Sequence, residues 1–263
     1  MMNTILVISV TVVLMLVGLY SSAYLIQKKM IFAGFKTNPE LYQRLQSSLV
    51  TLPNYHPQLQ GWKTAGAALN SEKIIVYFGG NAEDVATTSP LLRALPVAAS
   101  FHFNYRGYGH SQSSPSETGV YQDALAIFDH VKTLYPQAEI TIMGRSLGSA
   151  VAGYLASKRQ AHSLILVTPL KSTEQIGRDM FKGIRLPDSL FFFRFQLVEY
   201  AENINVPALV VFAEHDEIIP AQHSQETFNN LAGPKQKVLL EGAGHNNLYD
   251  RADLISELNA FLN

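Results

Sequence analysis

The five residues Gly144-Arg145-Ser146-Leu147-Gly148 follow the β-rich run Glu139 to Met143 and lead into the small-residue stretch Ser149 to Gly153. This G-x-S-x-G arrangement at a strand-turn-helix junction holds a serine hydroxyl exposed on a strained turn. A serine hydroxyl is a weak nucleophile near neutral pH and needs an imidazole to take its proton. Of the eight histidines, His245 lies in the glycine-rich loop Gly242 to Asn247, after the last expected strand and before the terminal helix. It is the candidate base. The imidazole in turn needs a carboxylate to hold one tautomer. The strand Ala208 to Phe212 runs into Ala213-Glu214-His215-Asp216-Glu217, where three carboxylates compete. Asp216, at the loop apex, is assigned, while Glu217 suits a first helical turn and Glu214 the strand end. The order Ser146, Asp216, His245 is not that of the two common serine-protease folds. A phosphate-binding turn is the other reading of the elbow, yet the chain holds neither G-x-G-x-x-G nor G-x-x-x-x-G-K-[ST].

Attack on an ester carbonyl places negative charge on oxygen, and each preorganised N–H donor for that charge contributes roughly 10²- to 10³-fold to rate. One donor is expected from the backbone of Leu147. The second is expected from Asn81, by its main chain, in the loop Tyr77 to Asp84, where Gly79 and Gly80 let backbone approach a ligand. A helix cap is an additional role for Asn81.

These groups require strands that end beside one another. Continuous apolar runs predict strands at Glu72 to Phe78, Val97 to Asn104, Glu139 to Met143, Ser163 to Val167, Ala208 to Ala213 and Lys237 to Glu241. Helical periods between them predict helices at Asp84 to Leu95, Val120 to Leu134, Leu147 to Lys158, Ser172 to Phe181, Ala221 to Leu231 and Leu248 to Leu262. Such alternation implies an α/β fold with a mostly parallel sheet covered by helices on both faces, its reactive loops at the carboxyl ends of the strands. Ser48 to Leu52 and Leu59 to Thr64 could add an antiparallel edge pair. About 220 residues suit one such domain.

Of 263 residues, 47% are apolar and 16% charged, so the chain must bury a core. A formal net charge of −1 gives no basic field for nucleic acid, and no nucleic-acid partner is expected. Cysteine is absent, which removes thiolate chemistry of every kind. Part of the apolar excess is the uncharged run Thr4 to Ile26, whose 23 residues span roughly 35 Å as a helix, enough to cross a bilayer core. An uncleaved anchor is expected over a cleaved signal peptide, although Ser21-Ser22-Ala23 offers a cleavage site, because no basic residue precedes the run. Lys28, Lys29, Lys36 and Arg44 all follow it, which predicts a membrane protein whose body faces the cytoplasm. The expected organisation is an anchor over 1–29, a juxtamembrane segment with a first strand over 30–58, and a catalytic domain over 59–263 with a small cap at about 168–205.

Gly80-Asn81-Ala82, Asn104-Tyr105-Arg106-Gly107-Tyr108-Gly109-His110-Ser111, Gly144-Arg145-Ser146-Leu147-Gly148, Asp216 and His245 together resemble the membrane-anchored α/β-hydrolases of the Bem46 and YfhR type, related to the ABHD13 and ABHD17 proteins. The resemblance covers the chain from about Leu59 onward. It implies a serine hydrolase with an eight-stranded sheet and no metal or organic cofactor. Gly79 stands where that family generally has His, and Asn104 where it generally has Asp, which bears on loop rigidity more than on reaction class. Arg106 could pair with a nearby carboxylate and hold the rim of the site.

The expected reaction is cleavage of a carboxylic ester or thioester through an acyl-enzyme. Amide hydrolysis by the same residues, and a non-catalytic membrane-bound interaction module, are the alternatives. The cap phenylalanines Phe191, Phe192, Phe193 and Phe195 could line an acyl pocket, lean toward the bilayer or pack beneath the cap. The partner expected there is an acyl substrate from lipid or lipidated protein.

Overall fold

A computed structural model describes residues 2–181 and 183–263. The apolar run forms helix α1 (Met2–Ile31), which ends two residues past the expected anchor, with Lys28 and Lys29 in its last turn. Within α1, Thr4–Ile31 is long and apolar enough to cross a membrane. A short helix α2 (Pro39–Arg44), capped by the Asn38 side chain, follows. Its six residues carry too little periodicity to mark it in the sequence.

The strands are β1 (Leu49–Val50), β2 (Gly61–Ala65), β3 (Lys73–Phe78), β4 (Ala99–Phe103), β5 (Glu139–Arg145), β6 (Ser163–Val167), β7 (Ala208–His215) and β8 (Lys235–Gly244). They form one sheet in the order β1-β2-β4-β3-β5-β6-β7-β8. The expected edge pair is antiparallel, and β2 runs antiparallel to β4. All pairings from β4 to β8 are parallel. The last strand outruns its apolar segment because β7 pairs with it beyond a bulge at Ala213 to His215, carrying β8 to the residue before His245.

The remaining helices are α3 (Ser89–Arg93), α4 (Glu117–Leu134), α5 (Leu147–Lys158), α6 (Thr173–Met180), α7 (Leu197–Ala201), α8 (Ala221–Asn230) and α9 (Ala252–Leu262). The helix expected over Asp84 to Leu95 is instead a 3-10 turn, Val85–Thr88, followed by α3. Asp84, not Asn81, caps that turn, its carboxylate accepting from the N–H of Ala86. The terminal helix is likewise interrupted, with a turn at Leu248–Asp250 and extended backbone at Arg251 before α9. The cap consists of α6, a turn at Asp188–Leu190 and α7.

Alternate residues of each strand face opposite cores. On β3, Ile74, Val76 and Phe78 join the core beneath α4, α5 and the cap, whereas Ile75 and Tyr77 join the core beneath α3 and α9. Both faces of the central strands are therefore dry, and the carboxyl ends of β3, β5, β7 and β8 open toward one side.

Candidate active site

Ser146 lies between β5 and α5 with φ 51° and ψ −119°, a conformation that costs an L residue about 1–3 kcal/mol and persists only where the surroundings enforce it. Two contacts enforce it here. The Ser146 N–H donates to the Val167 carbonyl at 3.0 Å, and Ser149 Oγ donates to the Ser146 carbonyl at 2.5 Å. The flanking glycines are sterically required. A Cβ on Gly144 would stand 2.2 Å from the Gly148 carbonyl oxygen, and one on Gly148 would stand 2.1 Å from that of Phe78.

The structure pairs His245 with Asp216. The imidazole Nδ1 is 2.9 Å from Asp216 Oδ2 and 3.0 Å from Oδ1, with both side chains buried. A carboxylate at Nδ1 holds the proton there and leaves Nε2 as the acceptor. The Ile218 and Ile219 N–H groups donate to Asp216 Oδ1 at 2.9 and 2.6 Å and fix the carboxylate in turn. The other two carboxylates of the loop have separate tasks. Glu217 accepts the His245 backbone N–H at 3.1 Å, and Glu214 accepts that of Gly242 at 2.7 Å. Backbone N–H groups of Glu217 itself and of His245 hold the Glu217 carboxyl below the ordinary carboxylate range.

Asn81 and Leu147 face the same cavity as Ser146, a space of about 400 Å³. Leu147 opens α5, where backbone N–H groups have no intrahelical acceptor. A Cβ on Gly80 would lie 3.7 Å from that of Ser146, which measures how closely the Gly79 to Asn81 loop approaches the elbow. The loop is clamped from behind. Tyr105 OH donates to the Gly79 carbonyl at 2.7 Å and Tyr108 OH to the Asn81 carbonyl at 2.5 Å. Arg106 holds the rim by a bidentate pair with Asp123 at 2.7 and 2.8 Å, as the sequence suggested. Asn104 is buried and joins the same frame, accepting from the Val85 N–H at 3.2 Å and donating to Tyr42 OH at 3.1 Å. At Gly79 a Cβ would meet Val85 Cγ1 at 2.8 Å, so in this chain the position is closed by packing.

Two residues that sequence reasoning passed over join these parts. Glu83 Oε1 accepts from Tyr77 OH and Thr88 Oγ1, both at 2.6 Å, while Oε2 accepts from the Gly80 N–H at 2.9 Å and Arg145 Nη1 at 3.3 Å. Arg145 then donates from Nη2 to the His245 carbonyl at 2.7 Å and to Asn246 Oδ1 at 3.3 Å. One mostly buried ion pair thus connects the loop of Gly80, the elbow of Ser146 and the loop of His245. Burial opposes the Arg145 charge, yet neighbouring Tyr249 and Glu83 carry its pKa above the ordinary value. A signal was available, since a charged residue following the buried run of β5 demands a partner.

Comparison with known proteins extends the geometry. Residues 73–194 match the family described as alpha/beta hydrolase fold. The chain is 30% identical over 211 residues to the uncharacterized protein MT2364 of Mycobacterium tuberculosis (strain CDC 1551 / Oshkosh), covering 78% of this chain and 75% of that one. It is 28% identical over 203 residues to the uncharacterized protein YfhR of Escherichia coli (strain K12), covering 72% and 69% respectively. Its fold is similar to that of Est1E from Butyrivibrio proteoclasticus with bound ferulic acid, at a TM-score of 0.65 and 16% identity, over 81% of this chain and 97% of the other.

Proposed function

The chain belongs to the α/β-hydrolase family of hydrolytic enzymes, and on that premise we propose that it is a serine hydrolase cleaving a carboxylic ester or thioester, anchored to a membrane by α1 with its body on the cytoplasmic side. His245 Nε2 removes the Ser146 proton as Oγ attacks the carbonyl carbon. The N–H groups of Leu147 and Asn81 take the charge that develops on the carbonyl oxygen. His245, now protonated, delivers its proton to the departing alcohol or thiol, and the acyl group stays on Ser146. Water then attacks the acyl-enzyme with His245 again as base, which releases the carboxylic acid and restores the serine. Asp216 orients the imidazole and balances its charge throughout.

The observation that carries this reading is the coupling of the strained Ser146 elbow to the His245 loop through Arg145, with Asp216 fixed on the imidazole. An interaction module has no use for that strain. The test is a fluorophosphonate probe on the full-length protein. Labelling that disappears in Ser146→Ala and His245→Ala supports the reading, and a folded wild type that stays unlabelled refutes it. Acetate ester, acetate thioester and acetanilide then separate ester and thioester cleavage from amide cleavage.

A further inference from the structure

The cavity over Ser146 is built from two parts of the chain that are far apart in sequence. From its catalytic end it runs outward between the cap, which supplies Ile176, Met180 and Phe181, and α1, which supplies Leu19, Ala23, Ile26 and Met30. Those four α1 positions fall at helical spacing on one face. The helix is fastened to the cap, not merely lying near it. Tyr20 OH and Ser189 Oγ share a hydrogen bond at 2.7 Å, the Phe192 N–H donates to Gln27 Oε1 at 3.0 Å, and Gln27 Nε2 donates to the Leu190 carbonyl. At the catalytic end Asn81 Nδ2 donates to the Met30 carbonyl at 3.0 Å. We propose that this cavity receives the acyl chain of a membrane lipid ester, with α1 as one of its walls, and that the chain enters sideways from the bilayer along α1.

Length decides where the cavity lies. Of the apolar span, the Thr4 to Gly18 part beyond the cavity is roughly 22 Å long at 1.5 Å per residue, short of a hydrocarbon core of about 30 Å. A spanning α1 therefore lowers the Leu19 end of the cavity into the acyl-chain layer. The rim agrees. Met180, Phe181 and Ile218, which line the cavity, and the neighbouring Ile184 are all at least half exposed, an arrangement that water penalises and lipid does not. Among the described residues of the lining none is charged, and its polar side chains are few. A peptide would bring N–H and C=O groups that such walls leave unpaired, whereas a lipid brings only its ester, and that end reaches Ser146.

This inference rests on Ser146 as the acyl-accepting nucleophile, and the experiment separates the two. The full-length protein in phosphatidylcholine vesicles is treated with an alkyl fluorophosphonate whose long chain ends in a diazirine, then irradiated and mapped. An adduct on Ser146 cross-linked to residues 19–30 is expected. An adduct on Ser146 whose cross-links avoid α1 overturns the proposal and leaves the serine hydrolase reading intact. No adduct on Ser146 removes that reading and this inference with it. In parallel, Ala23→Trp fills the cavity from α1. It should lower the ratio of long-chain lipid ester to acetate ester hydrolysis about tenfold, equivalent to about 1.4 kcal/mol. Leu14→Trp, on the opposite face of α1, should leave that ratio unchanged. An unchanged ratio in Ala23→Trp overturns the proposal, as does a vesicle-bound S-acyl peptide that is cleaved while the lipid ester is not.

Discussion

Replacing Arg145 by methionine removes a charge while keeping most of the aliphatic stem, so it isolates the ion pair with Glu83. The two side chains are only 14% and 8% exposed, and Glu83 keeps three neutral donors, Tyr77 OH, Thr88 Oγ1 and the Gly80 N–H, when Arg145 is gone. Breaking one side of a buried pair costs about 3–5 kcal/mol, and the surviving donors place Arg145→Met near the lower end, about 3 kcal/mol. Glu83→Gln should cost less, about 2 kcal/mol. Its amide oxygen can stay with Gly80 and Arg145 while the Tyr77 and Thr88 hydroxyls rotate to accept from its NH2. The double variant leaves no orphaned charge, so its loss should fall short of the sum by about 1–3 kcal/mol. Trp62 is the only tryptophan and is fully buried, so its fluorescence during urea unfolding in detergent reads all three. Activity reports separately. Without Arg145 the His245 carbonyl loses its tether, and a displacement of about 1 Å costs about 10²-fold in kcat on an acetate ester. Losses that add within about 0.5 kcal/mol, or an Arg145→Met enzyme with wild-type kcat, would refute the idea that this pair holds the site together.

In Asp216→Asn the remaining oxygen stays with the Ile218 and Ile219 N–H groups, which turns the amide NH2 toward His245 Nδ1 and imposes the wrong tautomer. Fluorophosphonate labelling should slow roughly 10⁴-fold with the unfolding midpoint little changed. Gly148→Ala would set a methyl 2.1 Å from the Phe78 carbonyl oxygen and 2.5 Å from that of Gly79, both backbone. Urea unfolding should show a loss of at least about 3 kcal/mol, because β3 and α5 must separate to admit it. His102 is wholly buried beside Thr64 and its pKa is driven down to about 3 by burial, against about 6.5 unfolded. Between those values the unfolded chain holds a proton that the folded one does not, so stability falls as pH drops from about 6.5 toward 3, by about 1.4 kcal/mol per unit. His102→Gln should remove that slope. Moving from pH 7 to pH 5 should cost the wild type about 2 kcal/mol more than the variant in urea titrations, and equal losses would refute the burial argument.

The residues that chemistry constrains were the legible ones. Gly144 is set by a contact four residues away, at Gly148, and Asp216 and His245 stand directly after strands marked by apolar runs, so local pattern was enough to single them out as candidates. Sequence failed where the cause is distant. Glu83 and Arg145 are 62 positions apart, and neither lies in a periodic pattern that points to the other. Asn81 looked suited to cap the segment after it, but Asp84 stands closer to the turn and took the cap, which left the Asn81 amide for the Met30 carbonyl. Hydropathy marked α1 as membrane-length without marking which face would meet the cap, because a helix apolar all round carries no stripe to read.

The position of α1 therefore belongs to the geometry of the site. An N–H that is to stabilise an oxyanion is useful only if its peptide plane is already oriented, since reorientation during reaction would consume the energy gained. The loop of Asn81 is held on one flank by Glu83 through the Gly80 N–H and on another by Tyr105 and Tyr108 through the Gly79 and Asn81 carbonyls. The third tie is the Asn81 side chain on the last turn of α1. Two of the three come from the sheet and its rim, where they are fixed by the buried core. The third depends on where α1 sits, so whatever positions that helix also bears on the peptide that faces Ser146. On the proposed function, attachment to the membrane and stabilisation of the developing charge would meet at that one asparagine.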